Sequence, residues 1–426
     1  MRSQLKGITV GILVLAFLSC RSTPALAGGL WLYERATPEV GTANAGVAAR
    51  AGDASTALSN PAGMTRLKKP QLLGGIQPMI LDVQFDPNAA TTITGPSGDA
   101  SGFLPAASFF YVHPLGEDWR VGFSVASTFG LGADYEDDWV GRYYVQQSDF
   151  LTVDIGPSVA YRVTDWLSVG GGFAVQVAKL KTQAAVNNAL PALADGQFTY
   201  EDTSVGFGGN VGILVEPWEG TRFGLVYATP IKQTFKDVPE FTGLGPGLQA
   251  ALTATGVLGA NVEVEMTIPQ GVMFSVFHQI DEQWAVMGNL GWQDWSQFGE
   301  VPISISSTTT TDLTEDMQFN DTVHVAIGAH FRFHPRWTAT AGFAYDSSPV
   351  SEANRSVNLP LDQQFRYSVG LMHEASERVT LGLAYTFMDA GSAPLTQTRG
   401  PLSGTISGDY SSNYINIIAL YVSAEF

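Results

Sequence analysis

Val379-Thr380-Leu381-Gly382-Leu383-Ala384-Tyr385-Thr386-Phe387 sets five large apolar side chains between four small or polar ones. Successive residues of a strand point to opposite faces, so this run has one apolar face and one that accepts threonine and glycine. Alone it fits a half-buried strand of a soluble sandwich as well as a strand against lipid. Its neighbours repeat the pattern. Leu151, Val153, Ile155, Val159 and Tyr161 alternate with Thr152, Asp154, Gly156, Ser158 and Ala160, while His324, Gly328, His330 and Arg332 fall between Val323, Val325, Ile327, Phe331 and Phe333. The chain closes on Ile418, Leu420, Val422, Ala424 and Phe426, all on one face of its final strand.

Working outward, short turns rich in charge or proline recur at residues 113–119, 163–166, 216–220, 279–284, 334–337 and 373–378. The spans between them, roughly 40–60 residues, hold a strand out, a longer loop and a strand back, the rhythm of an outer-membrane barrel with tight periplasmic turns. One more strand at each end makes fourteen, over residues 70–426. Trp119, Trp166, Trp218, Trp284 and Trp337 stand beside five of the turns, as an interfacial aromatic girdle requires. The expected fold is an all-β, fourteen-stranded antiparallel transmembrane barrel with both ends in the periplasm. The soluble sandwich explains each strand but not the set.

The first residues carry Arg2 and Lys6, an apolar run from Ile8 to Leu18 and Ala25-Leu26-Ala27, the order of a secretory signal over residues 1–27. Cys20, the only cysteine, leaves a lipoprotein as the alternative reading. Removal of residues 1–27 takes Arg2, Lys6 and Arg21 and no acid, moving the formal charge from −18 to −21. So acidic a chain argues against a nucleic-acid partner. Charged residues are only 15% of the chain, whereas glycine reaches 46 residues and aromatics 11%, which a soluble domain of this length seldom shows.

Two regions depart from the strand pattern. Residues 28–69 are small and polar, with Asn60-Pro61-Ala62-Gly63 ending a short helix, and read as a partly helical plug, or hatch, inside the lumen. Gly28, Gly29 and Leu30 are placed nearest its ligand pocket. Residues 237–260 hold Phe241, Leu244, Leu248, Leu252, Val257 and Leu258, too apolar for an ordinary exposed loop. With Leu190 and Leu193 they read as a capture groove, or else as loops packing on themselves.

At this point the chain resembles the FadL family of outer-membrane transporters for long-chain fatty acids and related hydrophobic compounds. The resemblance runs through Asp53-Ala54-Ser55-Thr56 and Asn60-Pro61-Ala62-Gly63, Trp292-Gln293-Asp294-Trp295-Ser296-Gln297-Phe298, Phe343-Ala344-Tyr345-Asp346-Ser347-Ser348-Pro349-Val350, Asn354-Arg355-Ser356 and Pro360-Leu361-Asp362-Gln363-Gln364-Phe365-Arg366. It implies a hatch-plugged barrel, capture at hydrophobic outer loops and a kinked third strand opening sideways to the bilayer. That kink would fall at Phe129-Gly130-Leu131-Gly132. It also implies two basic residues on a carboxylate, yet those places read Ala184 and Asn320. Lys179 and Lys181 lie near enough to substitute, or else to snorkel at the outer rim.

The function expected is passive uptake of long-chain fatty acids, with neutral alkane or aromatic hydrocarbons as the alternative cargo and a general diffusion porin as the alternative class. An enzyme is not expected, because His324 and His330 have no recognisable nucleophile or acid motif beside them. Two histidines are too few for a metal site, and no cofactor is implied. The partners expected are the outer-membrane bilayer, a hydrophobic small molecule and the barrel assembly machinery, through Phe426.

Overall fold

The computed structural model describes residues 32–189, 192–306 and 310–426. Fourteen antiparallel strands close into a barrel. They are β1 (Gln71–Pro87), β2 (Gly102–Leu115), β3 (Trp119–Ala126, resuming at Gly130–Asp134), β4 (Gln147–Arg162), β5 (Leu167–Val186), β6 (Gly196–Trp218) and β7 (Thr221–Ala228). The second half is β8 (Gly271–Gln279), β9 (Trp284–Gln293), β10 (Thr322–His334), β11 (Trp337–Asp346), β12 (Gln364–Ser376), β13 (Val379–Asp389) and β14 (Thr405–Glu425). Closure is made by β1 against β14, in a ladder running from Gln71 opposite Glu425 to Pro87 opposite Gly408.

All six tight turns fall between paired strands as expected. The alternation sorts the faces: on β10 Ile327 is 63% exposed and His324 only 1%. On β13 Leu381 and Leu383 are exposed while Ala384 and Thr386 are buried, so the apolar phase looks out to lipid.

A smaller four-stranded sheet, not anticipated from sequence, is built from Ile231–Asp237, Asn261–Ile268, Glu300–Ser306 and Thr310–Asp316. Its first strand lies against the inward face of β6. A Cβ on Gly206 would come within 2.6 Å of the Ile231 side chain, and one on Gly208 within 2.5 Å. Side chains would therefore hold the two layers apart. Between this sheet and β4–β5 sits an aromatic core of Phe129, Phe150, Phe235, Trp295, Phe298 and Phe319. Phe129 is its hub, with ring centroids 5.4–5.8 Å from Phe150, Trp295 and Phe298.

Residues 32–69 lie inside the barrel, where they touch its whole circumference. The Ala36 amide donates to Gln77 of β1 (2.8 Å), Gly46 to Asn289 of β9 (2.8 Å), Ala48 to Ser275 of β8 (3.1 Å), and the Asn210 side chain of β6 to the Leu58 carbonyl (2.5 Å). Thr386 of β13 donates to the Val40 carbonyl (3.3 Å), and Val40 packs on Ala384 and Ala419 of β13 and β14. A segment with partners on opposite walls fills the lumen. Wall glycines permit the approach: a Cβ on Gly224 would lie 1.9 Å from the Ala48 carbonyl oxygen, and one on Gly342 2.0 Å from that of Thr42. The segment is ordered by 3-10 turns Pro38–Thr42 and Pro61–Arg66, each with proline in its first turn, where no amide is needed.

Candidate functional site: a lumen cavity beside a break in the wall

β3 runs regularly to Ala126, opposite Asp154 of β4, and resumes at Gly130, opposite Leu151. Residues 127–129 thus face only 152–153, so β3 carries one extra residue, a bulge. Ala126 and Phe129 both point inward, which an unbroken strand forbids for residues three apart. β2 and β3 stay paired only from Phe109 opposite Val125 to Leu115 opposite Trp119. The outer half of β2, Gly102–Ser108, pairs with β1 and with no barrel strand on its other side. Pro105 lies in that half, where a missing N–H is tolerated. The wall is therefore open between the outer halves of β2 and β3.

Backbone groups at the break are satisfied from within, as lipid surroundings demand. The Thr128 carbonyl accepts from the Leu32 amide (3.1 Å), the Phe129 carbonyl from both the Thr152 amide (3.1 Å) and hydroxyl (2.7 Å), and Ser127 donates to the Thr152 carbonyl (2.7 Å).

Directly behind lies a cavity of 150 Å³ whose lining includes Ser124, just before the break, and Thr128, within it. Its surface is mostly apolar, with Leu58 from the plug and Val226, Ile231, Ile268, Val272 and Met273 from the wall and inner sheet. The polar minority includes Arg35, Asp154, Gln176 and Gln293. Asp154 is buried and accepts from Gln176 (2.7 Å) and from Thr128. Arg35 makes no side-chain hydrogen bond or ion pair among the described residues, and its Nε is buried. Burial pulls its pKa down, with the Asp154 and Glu34 carboxylates opposing.

Next to the cavity, Tyr33 takes a hydrogen bond from Gln293 (2.5 Å) and packs at a 31° tilt, 4.3 Å between ring centroids, on His324, whose Nδ1 is 2.9 Å from Asp346. Arg366 lies wholly buried between Asp346 and Glu34, the latter at 3.1 Å. A guanidinium desolvated this fully persists because two carboxylates hold it. Glu34 comes from the plug and Arg366 from β12, so the triad ties plug to wall. Farther in, Arg50 pairs with Glu39 (2.6 Å) and Asp53. Burial raises the Glu39 pKa, while Arg50 beside it pulls it back down. Below the plug a polar vestibule of 1100 Å³ opens toward the periplasmic turns.

Several expected site residues meet in this arrangement. Phe129 and Gly130 frame the break, and the backbones of Leu131 and Gly132 continue it along Phe150 and Asp149. Asn60 donates to the Ala48 carbonyl (2.6 Å) and the Ile213 carbonyl of β6 (3.2 Å) and caps Ala62 (3.1 Å). Pro61 and Ala62 press on Gly170 of β5, and Gly63 on Ala51. The Asn60 turn therefore sits near the periplasmic end.

Others do not reach the cavity. Lys179 shares its phase with exposed Val177 and opposes that of buried Gln176, Ala178 and Leu180, so it points out of the barrel, half-exposed and 2.6 Å from Glu201. Lys181 has the same phase, opposite Asp149. Both lysines therefore point away from the cavity. Asn320 is exposed, its amide donating to Pro349 (2.7 Å), and Ala184 lies opposite Phe198. The outer-loop set gathers around a helix, Pro246–Ala254, with no buried residue. Leu244, Leu248, Leu252, Val257 and Leu258 are half-exposed, Leu193 is exposed against Gly245, and Phe241 packs on Phe198 at 5.3 Å. Gly28, Gly29, Leu30 and Leu190 lie outside the described residues. Phe426 is exposed at the end of β14, its amide on the Pro70 carbonyl (3.0 Å). Sequence reasoning missed Tyr33, Glu34 and Arg35.

A family model described as outer membrane protein transport protein (OMPP1/FadL/TodX) matches residues 18–426. A long-chain fatty acid transport protein of Escherichia coli O6:H1 is 27% identical over 408 residues, covering 89% of this chain and 91% of its own. Among solved structures, a Pseudomonas aeruginosa FadL homologue superposes with a TM-score of 0.83 at 19% identity, covering 94% of this chain and all of the other. The Pseudomonas putida toluene transporter TodX gives 0.69 at 15%, covering 95% and 99%.

Proposed function

Because the chain belongs to the OMPP1/FadL/TodX family of outer membrane transport proteins, we propose that it is a passive channel for long-chain fatty acids, which leave its lumen sideways into the bilayer. That it is an outer-membrane carrier of hydrophobic compounds follows from the family and the barrel; the route and the cargo are our reading. One observation carries the route: Thr128, in the stretch of β3 beyond the last pair with β2, lines the apolar cavity. A hydrophobe in that cavity has lipid beside it and a polar vestibule below, so the sideways step keeps its apolar surface out of water at roughly 0.8 kcal/mol per methylene.

In this reading the exposed apolar helix Pro246–Ala254 and its neighbours concentrate cargo from the outer leaflet. The plug keeps the barrel from acting as an open pore, and its shift, with that of Phe129, passes cargo from the outer loops into the cavity. The signal over residues 1–27 is cleaved, and Phe426 serves recognition by the assembly machinery. A second reading, neutral hydrocarbons as cargo, is favoured by Ala184 and Asn320 standing where the family resemblance implies basic residues. Cells that lack their own uptake route and express this chain should take up radiolabelled oleate above the vector control. Uptake of hexadecane without oleate would instead favour the second reading, and uptake of small sugars would favour a porin.

A further inference from the structure

We infer that Arg35 is the headgroup anchor of the lumen cavity and that the cargo it selects is a single-chain amphiphile with an anionic carboxylate. The inference rests on the cavity being the cargo site, and it decides between the two cargo readings.

The lumen cations around the plug are already engaged. Arg366 is held by Glu34 and Asp346, Arg50 by Glu39 and Asp53, Arg162 donates to the Thr65 carbonyl (2.6 Å) and Arg222 to the Ala49 carbonyl (2.9 Å). Among the described residues Arg35 is the one cation that lines the cavity, and its buried Nε has no acceptor. A partly buried guanidinium facing an apolar cavity without a contact partner is the arrangement a fold avoids unless a ligand completes it. Asp154, in the same cavity, accepts from Gln176 and Thr128 and makes no contact with Arg35, so its charge favours the guanidinium from a distance without occupying its donors.

The position suits an amphiphile. The Arg35 carbonyl accepts from Ser108 of β2, and three residues earlier the Leu32 amide bonds to Thr128 of β3. The plug's leading arm thus bridges the two strands between which the wall is open. A carboxylate on the Arg35 fork would leave its tail among Val226, Ile231, Ile268, Val272 and Met273. The outward-pointing lysines of β5 cannot do this, and Ala184 and Asn320 carry no charge.

The test is equilibrium binding of oleate and methyl oleate, at a pH where the acid is ionised, to the purified full-length barrel and its Arg35→Met and Arg35→Lys variants. Assembly of each is verified by heat-modified gel mobility. Arg35→Met is expected to weaken oleate by about tenfold or more and to leave methyl oleate within about twofold, with Arg35→Lys between wild type and Arg35→Met for oleate. Equal losses for both lipids, or none, would overturn the anchor and leave Arg35 a counter-charge to Asp154. Should Arg35→Met fail to assemble, Arg35→Lys decides, because oleate held at wild-type strength overturns a fork-specific anchor and selective weakening supports it. If neither lipid binds the wild-type barrel, the transport reading itself falls, and the anchor with it.

Discussion

The barrel wall at β1 and β14 and the wall at β2 and β3 are built from the same kind of strand but end differently. The first ladder runs from Gln71 opposite Glu425 to Pro87 opposite Gly408, with a single shift between Gln84 and Phe85. The second stops at Phe109 and Val125, halfway up, because one extra residue in β3 turns its outer half onto β4 alone. Closing a barrel removes every edge, and a membrane penalises any edge that remains. In the proposed route the edge left open in lipid, with the Thr128 and Phe129 carbonyls served by Leu32 and Thr152, is where the cargo crosses the wall. The difference teaches that one residue of register, not a different sequence style, separates a closed wall from an open one.

The sharpest contrast comes from making the same edit in both walls. Deleting Ala384 from β13 would turn Tyr385 and Phe387 into the lumen and Thr386 and Met388 toward lipid, since a one-residue slip exchanges faces. No heat-modifiable barrel is expected from that chain, whereas deletion of Ser127 from the bulge should still assemble. Recovery of both in folded form would break the comparison.

A smaller effect concerns what stands behind the walls. Gly224→Val or Gly342→Val would thrust a side chain into the plug backbone at Ala48 or Thr42. Each is expected to raise single-channel conductance in planar bilayers, while Gly247→Ala, on the exposed outer helix with nothing within 4 Å of its Cβ, leaves it low. Unchanged conductance in the first two would show that the plug yields without opening a path.

The outer loops should show a graded loss. Leu248→Glu with Leu252→Glu is expected to weaken initial capture of oleate by about tenfold, read as the apparent affinity of uptake, with the maximal rate nearly kept. Loss of maximal rate alone would place these residues elsewhere in the route. Smallest of all, Lys179→Gln should leave both parameters unaltered, because its partner is Glu201 on the outer face and exposed pairs contribute little.

The barrel was legible because lipid imposes a period of two on every strand and the tight turns punctuate it. Leu381 and Leu383 could be assigned a face before any coordinates. The inner sheet was not legible, since Ile231–Asp237 and Asn261–Ile268 alternate like barrel strands and nothing in the alternation says that they leave the wall. The direction of Lys179 was present in the sequence, three residues out of phase with a lumen-facing Gln176, and needed only the parity to be carried through. Arg35 was hidden for another reason. The plug is ordered by 3-10 turns and by contacts with distant strands, so it has no period from which a face could be read.

The account stands or falls on sideways exit. Uptake of radiolabelled oleate should be measured in cells that depend on this barrel, comparing wild type with the chain lacking Ser127 at matched amounts in the outer membrane. Removing the extra residue restores the phase of β3 and lets its ladder with β2 continue outward. The account predicts that uptake falls to the vector background although the barrel assembles and still binds oleate. Wild-type uptake by the straightened chain would contradict it, and would send the cargo down through the vestibule instead.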